Sequence, residues 1–224
     1  MVYKIINHKF GIFVESVILT LLIFIIGFSL GFYIEFSRTN DIIRNARNYE
    51  IEALDLRLQN YYYQTINAAD CETAIEQNFI FADNLYNDGL EIEKYEEASQ
   101  LSEDVRKEKR RYVLLKTELW LNSVLLKEKC NATFDTIVYF YSDDPENNVI
   151  LSQQKIISNI LKDIKEEKGN SVILLPIAGD MGLESISLQR RVHKINYLPS
   201  VLINEDIVLE GFHTVDDVKS YLKN

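Results

Sequence analysis

Two cysteines, three histidines and a short run of carboxylates are the residues of this 224-residue chain whose types suit chemistry beyond packing. Cys71 and Cys130 belong to no Cys-x-x-Cys motif, so neither has the neighbouring thiol that depresses a sulfur's pKa in exchange chemistry. Three fates are open to them: a structural disulfide closing a loop of 59 residues, a pair of buried thiols, or a redox couple. His8, His193 and His213 stand at metal-ligand spacing neither from one another nor from a cysteine, which predicts no bound metal or haem. Asp143-Asp144-Pro145-Glu146 sets three carboxylates around a proline. Asp144 suits a helix N-cap, Pro145 the first helical position and Glu146 a first-turn anion facing the helix dipole. Calcium binding would need the EF-hand glycine and spacing, which are missing, and acid–base catalysis would need a partner base that the sequence does not identify. Gly179-Asp180-Met181-Gly182 is too short for a dinucleotide or phosphate-binding loop and reads as a turn. No order of Ser, His and Asp supports a hydrolase triad, and no cofactor is expected.

The net charge of -10, with no dense Lys/Arg tract, argues against a nucleic-acid partner. Residues 16–34, SVILTLLIFIIGFSLGFYI, run without a charge for about the length that crosses a hydrocarbon core as a helix, which makes membrane lipid the expected surroundings. A cleaved signal peptide is the competing reading, but the run exceeds the usual signal core and no Ala-x-Ala follows it. Lys4 and Lys9 precede the span while Arg38, Arg44 and Arg47 follow it, so the charge asymmetry does not orient it. The cysteine pair and an Asn131-Ala132-Thr133 sequon both favour an extracytoplasmic C-terminal domain, with Asn131 the glycosylation candidate.

All three prolines follow position 144, and between Gly31 and Gly169 the only glycine is Gly89. Such a stretch allows long helices. One is expected from Thr39 or Asn40 to about Ile66, on its own or as a continuation of the membrane helix, with Ile51, Leu54, Leu58 and Tyr61 as its apolar stripe. A second starts at Asp70, carries Ile75, Phe79, Ala82 and Tyr86, and is interrupted or ended by Asn87-Asp88-Gly89. A third opens at Ser102 and carries Val105, Tyr112, Leu115 and Leu119, widened by Val113, Trp120 and Val124. Arg106 to Arg111 are expected to be a solvated face, and of Tyr61, Tyr62 and Tyr63 one should point inward. If the second and third helices form an antiparallel hairpin, Cys71 and Cys130 meet at one end of it.

Thr136 to Tyr141 predicts a buried strand. An amphipathic helix with Val149, Ile156, Ile160 and Ile164 inward follows, and then a second strand over Ser171 to Pro176, parallel to the first. A further helix covers about Leu183 to Ile195. Val201 to Ile203 and Ile207 to Leu209 flank the hairpin signature Asn204-Glu205-Asp206, and Thr214 caps a last helix through Leu222. The order βαβαββα, closing on Tyr197-Leu198-Pro199-Ser200-Val201-Leu202-Ile203, resembles the thioredoxin-like superfamily over residues 133 to 224. Pro199 matches the family's cis-proline before the third core strand, Gly211 the glycine after its terminal hairpin, and Val215 to Leu222 its closing helix. The departure falls at the functional centre. Where the family carries Cys-x-x-Cys, this chain has Asp143 to Asn148, oxygen ligands offered to solvent in place of a nucleophilic sulfur.

The organisation expected is an N-terminal tail and transmembrane helix over 1-36, a helical hairpin or three-helix region over 37-130, and an α/β thioredoxin-like domain with a mixed sheet over 133-224. The resemblance implies a redox-inactive module that holds an extended polypeptide in the groove formed by Asp143, Asp144, Pro145, Glu146, Leu198 and Pro199. Two alternatives belong to other classes. One is a thiol-disulfide oxidoreductase, or its accessory, using Cys71 and Cys130. The other is a structural subunit of a membrane complex.

Overall fold

The computed structural model describes residues 2–65, 70–98, 103–143 and 148–223. Their order is α1 (Val2–Thr65), α2 (Cys71–Ala98), α3 (Glu103–Cys130), β1 (Asp135–Tyr141), α4 (Asn148–Lys168), β2 (Val172–Ala178), α5 (Glu184–Val192), β3 (Ser200–Ile203), β4 (Ile207–Glu210) and α6 (Val215–Lys219). The chain divides into two compact units, Met1–Arg47 and Asn48–Asn224. In the first, Val14–Ile34 is a 21-residue apolar helical stretch, long enough to cross a membrane, and none of its side chains is buried within the protein.

The second unit is built on a four-stranded mixed sheet in the order β2-β1-β3-β4. β1 pairs parallel with β2, and β3 runs antiparallel to both β1 and β4. Every residue of β1 but Tyr141 is buried, as a strand covered on both faces requires. Val138 and Phe140 point to one face, where Leu115, Leu119 and Trp120 of α3 and Ile186 of α5 pack. Ile137 and Tyr139 point to the other, against Ile157, Leu161 and Ile164 of α4 and Val218 of α6. The helical region and the sheet therefore share one core. Pro176 lies inside β2 opposite Tyr139, so this strand runs past the proline at which the sequence pattern ended it. An edge strand tolerates the missing N–H, and the Pro176 carbonyl accepts from Lys116 Nζ at 2.9 Å.

The inward rows differ from the expected ones in three helices. On α1, Ile51, Leu54, Leu58 and Tyr61 are 59% to 67% exposed, while Leu56 and Tyr63 are buried, so the helix packs by the face opposite the expected stripe. On α4 the buried row is Gln154, Ile157, Leu161 and Ile164, with Val149 and Ile156 exposed. On α2, Ile75, Phe79, Ala82 and Tyr86 are half-buried around a centre at Ala74, Asn78 and Leu85. The helix also continues through Asn87-Asp88-Gly89 instead of breaking there. Gly89 has a packing reason: a Cβ at this position would lie 2.1 Å from the Tyr112 hydroxyl, which donates to the Leu85 carbonyl at 2.5 Å.

A polar latch fixes α3 to the β3–β4 turn. Asn204 and Glu205 have φ of 50° and 64°, the left-handed pair a tight hairpin turn needs, although Glu is an uncommon residue there. Its carboxylate accepts from Trp120 Nε1 at 2.9 Å, Lys127 Nζ at 3.0 Å and the Thr136 hydroxyl at 2.6 Å. Asn204 Oδ1 accepts from Lys127 Nζ at 2.9 Å and from the Thr136 amide at 3.1 Å. These bonds offset the unfavourable backbone.

Two outcomes are expected. Gly89→Ala, which stabilises an ordinary exposed helix by about 1 kcal/mol, should here destabilise by about 1–3 kcal/mol because Tyr112 has to move, and Tyr112→Leu should recover most of that in denaturant titration. Glu205→Ala should cost about 2–4 kcal/mol by leaving Lys127 without its anion. Glu205→Gly should cost about 1 kcal/mol less, since it relieves the left-handed backbone; equal losses in thermal unfolding would show that the turn is unstrained.

Candidate functional site

β1 delivers Ser142 and Asp143 to the end of the sheet at which the resemblance sets its functional loop. Gln154 of α4 holds Ser142 from both sides: the Ser142 amide donates to Oε1 at 2.8 Å, and Nε2 donates to the Ser142 carbonyl at 3.1 Å. The Tyr139 hydroxyl donates to the Gln154 carbonyl at 3.1 Å. Burial, and then the neighbouring Tyr141 phenol, push the Tyr139 phenol up, so it stays a neutral donor. From the β2 side, the Gly179 amide donates to the Tyr141 carbonyl at 2.8 Å. Asp180, next in the chain, accepts the Asp143 amide at 2.8 Å and also accepts the Ser142 hydroxyl.

The Asp143 carboxylate faces Lys109 of α3, and both side chains are only 12% exposed. This corrects two expectations. The carboxylate is turned to a cation and away from solvent, and the Arg106 to Arg111 stretch is not wholly a solvated face, since Lys109 points at the sheet and stands 5.7 Å from the centre of the Tyr141 ring.

Leu198 and Pro199 lie at the same end, because Ser200 opens β3 opposite Phe140. The Leu198–Pro199 peptide is cis, and Pro199 is buried. Leu198 is half-buried against Gly179, where an added Cβ would meet its methyl carbons at 3.0 and 3.1 Å, and Arg190 Nη1 donates to the Gly179 carbonyl at 3.0 Å. The Gly211 amide approaches the Pro199 carbonyl at 3.5 Å. Tyr197 and Phe212, beside these two residues, are 69% and 58% exposed. The fold thus gathers Asp143, Leu198 and Pro199 at one sheet end; Asp144, Pro145 and Glu146 lie outside the described residues. Among the described residues no group of three or more His, Cys, Asp or Glu is placed to hold a metal ion.

The cysteines lie at the other end. Cys71 opens α2, Cys130 closes α3, and their sulfurs stand at disulfide distance, 1.98 Å, with Cα atoms 5.5 Å apart beside Tyr63, Ala74 and Leu126. Cys130 precedes the first residue of β1, whereas Pro199 abuts its last, so the length of a seven-residue strand, about 20 Å, separates them. No sulfur of this pair reaches the Ser142–Asp143 loop. Asn131 is exposed with φ of 48° in the irregular segment between α3 and β1.

Sequence reasoning missed three residues that shape the loop: Lys109, Gln154 and Asp180. Gln154 stands at the helical interval before Ile157, Leu161 and Ile164 and could have been read as an inward polar residue. Lys109 and Asp180 carried no such signal, since their partners lie more than thirty positions away. No family model, curated protein or solved structure matches this chain.

Asp180→Ala should raise amide hydrogen exchange at Asp143 by about tenfold, the loss of one hydrogen bond to a charged acceptor, with little change in the exchange of β1. Unchanged protection at Asp143 would show that Asp180 does not hold the loop.

Proposed function

We propose that this protein is a membrane-anchored, redox-inactive thioredoxin-like module that binds an extended polypeptide at the Ser142–Asp143 and Leu198–Pro199 end of its sheet. The observation that carries the reading is a substitution of chemistry at one place. At the turn after β1, beside the proline that precedes β3, stand a hydroxyl and a carboxylate bound to Asp180 and Lys109, while both sulfurs of the chain lie a strand's length away. An oxidoreductase needs an accessible thiolate at the helix N-terminus that receives the substrate disulfide; this site offers none.

Three further features support the fold assignment and the binding role. The strand order β2-β1-β3-β4, with α4 and α6 on one face and α5 on the other, is the arrangement that the βαβαββα pattern of the superfamily implies. β4 is an outer strand of that sheet, and an outer strand can accept an extended chain through its backbone. Tyr197 and Phe212 expose aromatic surface next to Pro199, and aromatic residues are enriched at protein contacts. The apolar stretch Val14–Ile34 supplies the anchor. The reading assigns the domain to the extracytoplasmic side, where the Cys71–Cys130 pair stays oxidised and Asn131 meets glycosylating enzymes.

Crosslinking on intact membranes followed by mass spectrometry tests it. The full-length chain should capture polypeptides, and the double variant Tyr197→Ala/Phe212→Ala should lose about tenfold or more of that capture, as expected when central aromatic contacts are removed. Recovery of no protein partner, or disulfide-reductase activity that disappears in Cys71→Ser, would overturn it.

A further inference from the structure

The first turns of α2 and the segment that joins α3 to β1 border a cavity of about 330 Å³, at the end of the sheet opposite Pro199. Cys71, Ile75 and Phe79 follow one another at intervals of four and so form one stripe of α2. The stripe is tied down at both ends. The Cys71 sulfur stands at bonding distance from that of Cys130, and the Phe79 ring lies edge-on to the buried Phe134 ring with centres 5.1 Å apart. The residues between those two ties are Asn131-Ala132-Thr133, a glycosylation sequon whose Asn131 and Thr133 are exposed and line the cavity. Ile75 and Phe79 supply its apolar wall, and Asn170 and Ser171, from the single helical turn before β2, extend the polar one. We propose that this cavity is a saccharide site, occupied by the first sugar of an N-linked glycan carried by Asn131.

Three observations select this occupant. The cavity is amphipathic in the way a pyranose is: a ring face of C–H groups suits Ile75 and the Phe79 ring, and a hydroxyl edge suits the Asn170 amide and the Ser171 hydroxyl. Its volume lies at the lower end of ligand pockets, with room for one sugar ring and not for a chain of them. The attachment point is itself part of the wall. Glycosylation replaces one hydrogen of the Asn131 Nδ2 amide by C1 of the sugar, while the C1–O bond to a lipid diphosphate carrier breaks and the carrier leaves with the proton. A sugar so tethered has a high effective concentration at the cavity, so few contacts hold it there. The left-handed φ of 48° after the end of α3 by itself accounts for an asparagine at 131, but for neither Thr133 nor the cavity.

The proposal rests on the extracytoplasmic reading of the domain. That reading is checked separately with Leu188→Cys, a leucine of α5 that is 52% exposed, which a membrane-impermeant maleimide should label on intact cells of a glycosylating host. The denatured full-length chain from those membranes should lose the mass of one glycan to a peptide-N-glycosidase, and Asn131→Gln should show no such loss. Absence of labelling overturns the reading and the proposal together; labelling without a glycan overturns the proposal alone. With the glycan present, the same enzyme should release it from the folded wild-type chain about tenfold more slowly than from Asn170→Ala/Ser171→Ala, the effect of losing one or two hydrogen bonds to the sugar. Thermal unfolding of the deglycosylated double variant should match that of the deglycosylated wild type. Phe79→Ala, which removes the apolar wall, should speed release at least as much. Equal release from wild type and the double variant would show a glycan lying in solvent and refute the site.

Discussion

Helix α3 turns a row of residues at helical intervals, Lys109, Val113, Lys116, Trp120 and Lys127, towards the sheet, and the second unit is organised around that contact. Its centre is the buried Trp120 indole, edge-on to Phe140 with ring centres 6.0 Å apart. The three lysines each end on a different part of the sheet: Lys109 on Asp143 after β1, Lys116 on the Pro176 carbonyl of β2, and Lys127 on Thr136, Asn204 and Glu205. The two lengths agree. Lys109 and Lys127 are eighteen positions apart, about 27 Å along a helix, and Asp143 and Thr136 are seven apart, about 23 Å along a strand. The helix therefore runs the length of β1 in the opposite sense and is pinned at both ends by charge-assisted hydrogen bonds with little access to water, where such bonds are strongest.

The two ends of the sheet that this contact spans differ in chemistry. At the end holding Asn204 and Glu205, the polar groups satisfy one another around a left-handed turn, and the cysteine pair closes the hairpin of α2 and α3 nearby. At the other end Ser142 and Asp143, which follow β1, are held by Gln154, Asp180 and Lys109 without a sulfur among them. Its polar groups are engaged within the protein, while Tyr197 and Phe212 stay exposed.

Apolar content and apolar placement part company on α1. The packed face uses Leu56 and Tyr63 with polar Asn60 between them, because Asn122 of α3 supplies the partner that makes an amide acceptable there. The more hydrophobic row was left outside.

The sequence by itself determined the kinds of element and their order. Strand periodicity, the Asn204-Glu205-Asp206 turn, the Thr214 cap, the absence of proline before position 144 and the single glycine, Gly89, between Gly31 and Gly169 are local signals, set by backbone preferences within a few residues. The meeting of Cys71 with Cys130 was one of three fates open to the pair, expected if the second and third helices formed a hairpin, and the missing Cys-x-x-Cys is legible in any reading of the chain. Only the tertiary structure decided which face of α1 and of α4 turned inward. It also decided that α2 would pass through Gly89, where Tyr112 fills the space of a side chain, and that Lys109 and Asp180 would close on Asp143. The reason is one of range: an apolar stripe states that a helix can be buried but not against what, and a lysine is indistinguishable from a solvated one until a distant carboxylate or carbonyl is brought within hydrogen-bond reach.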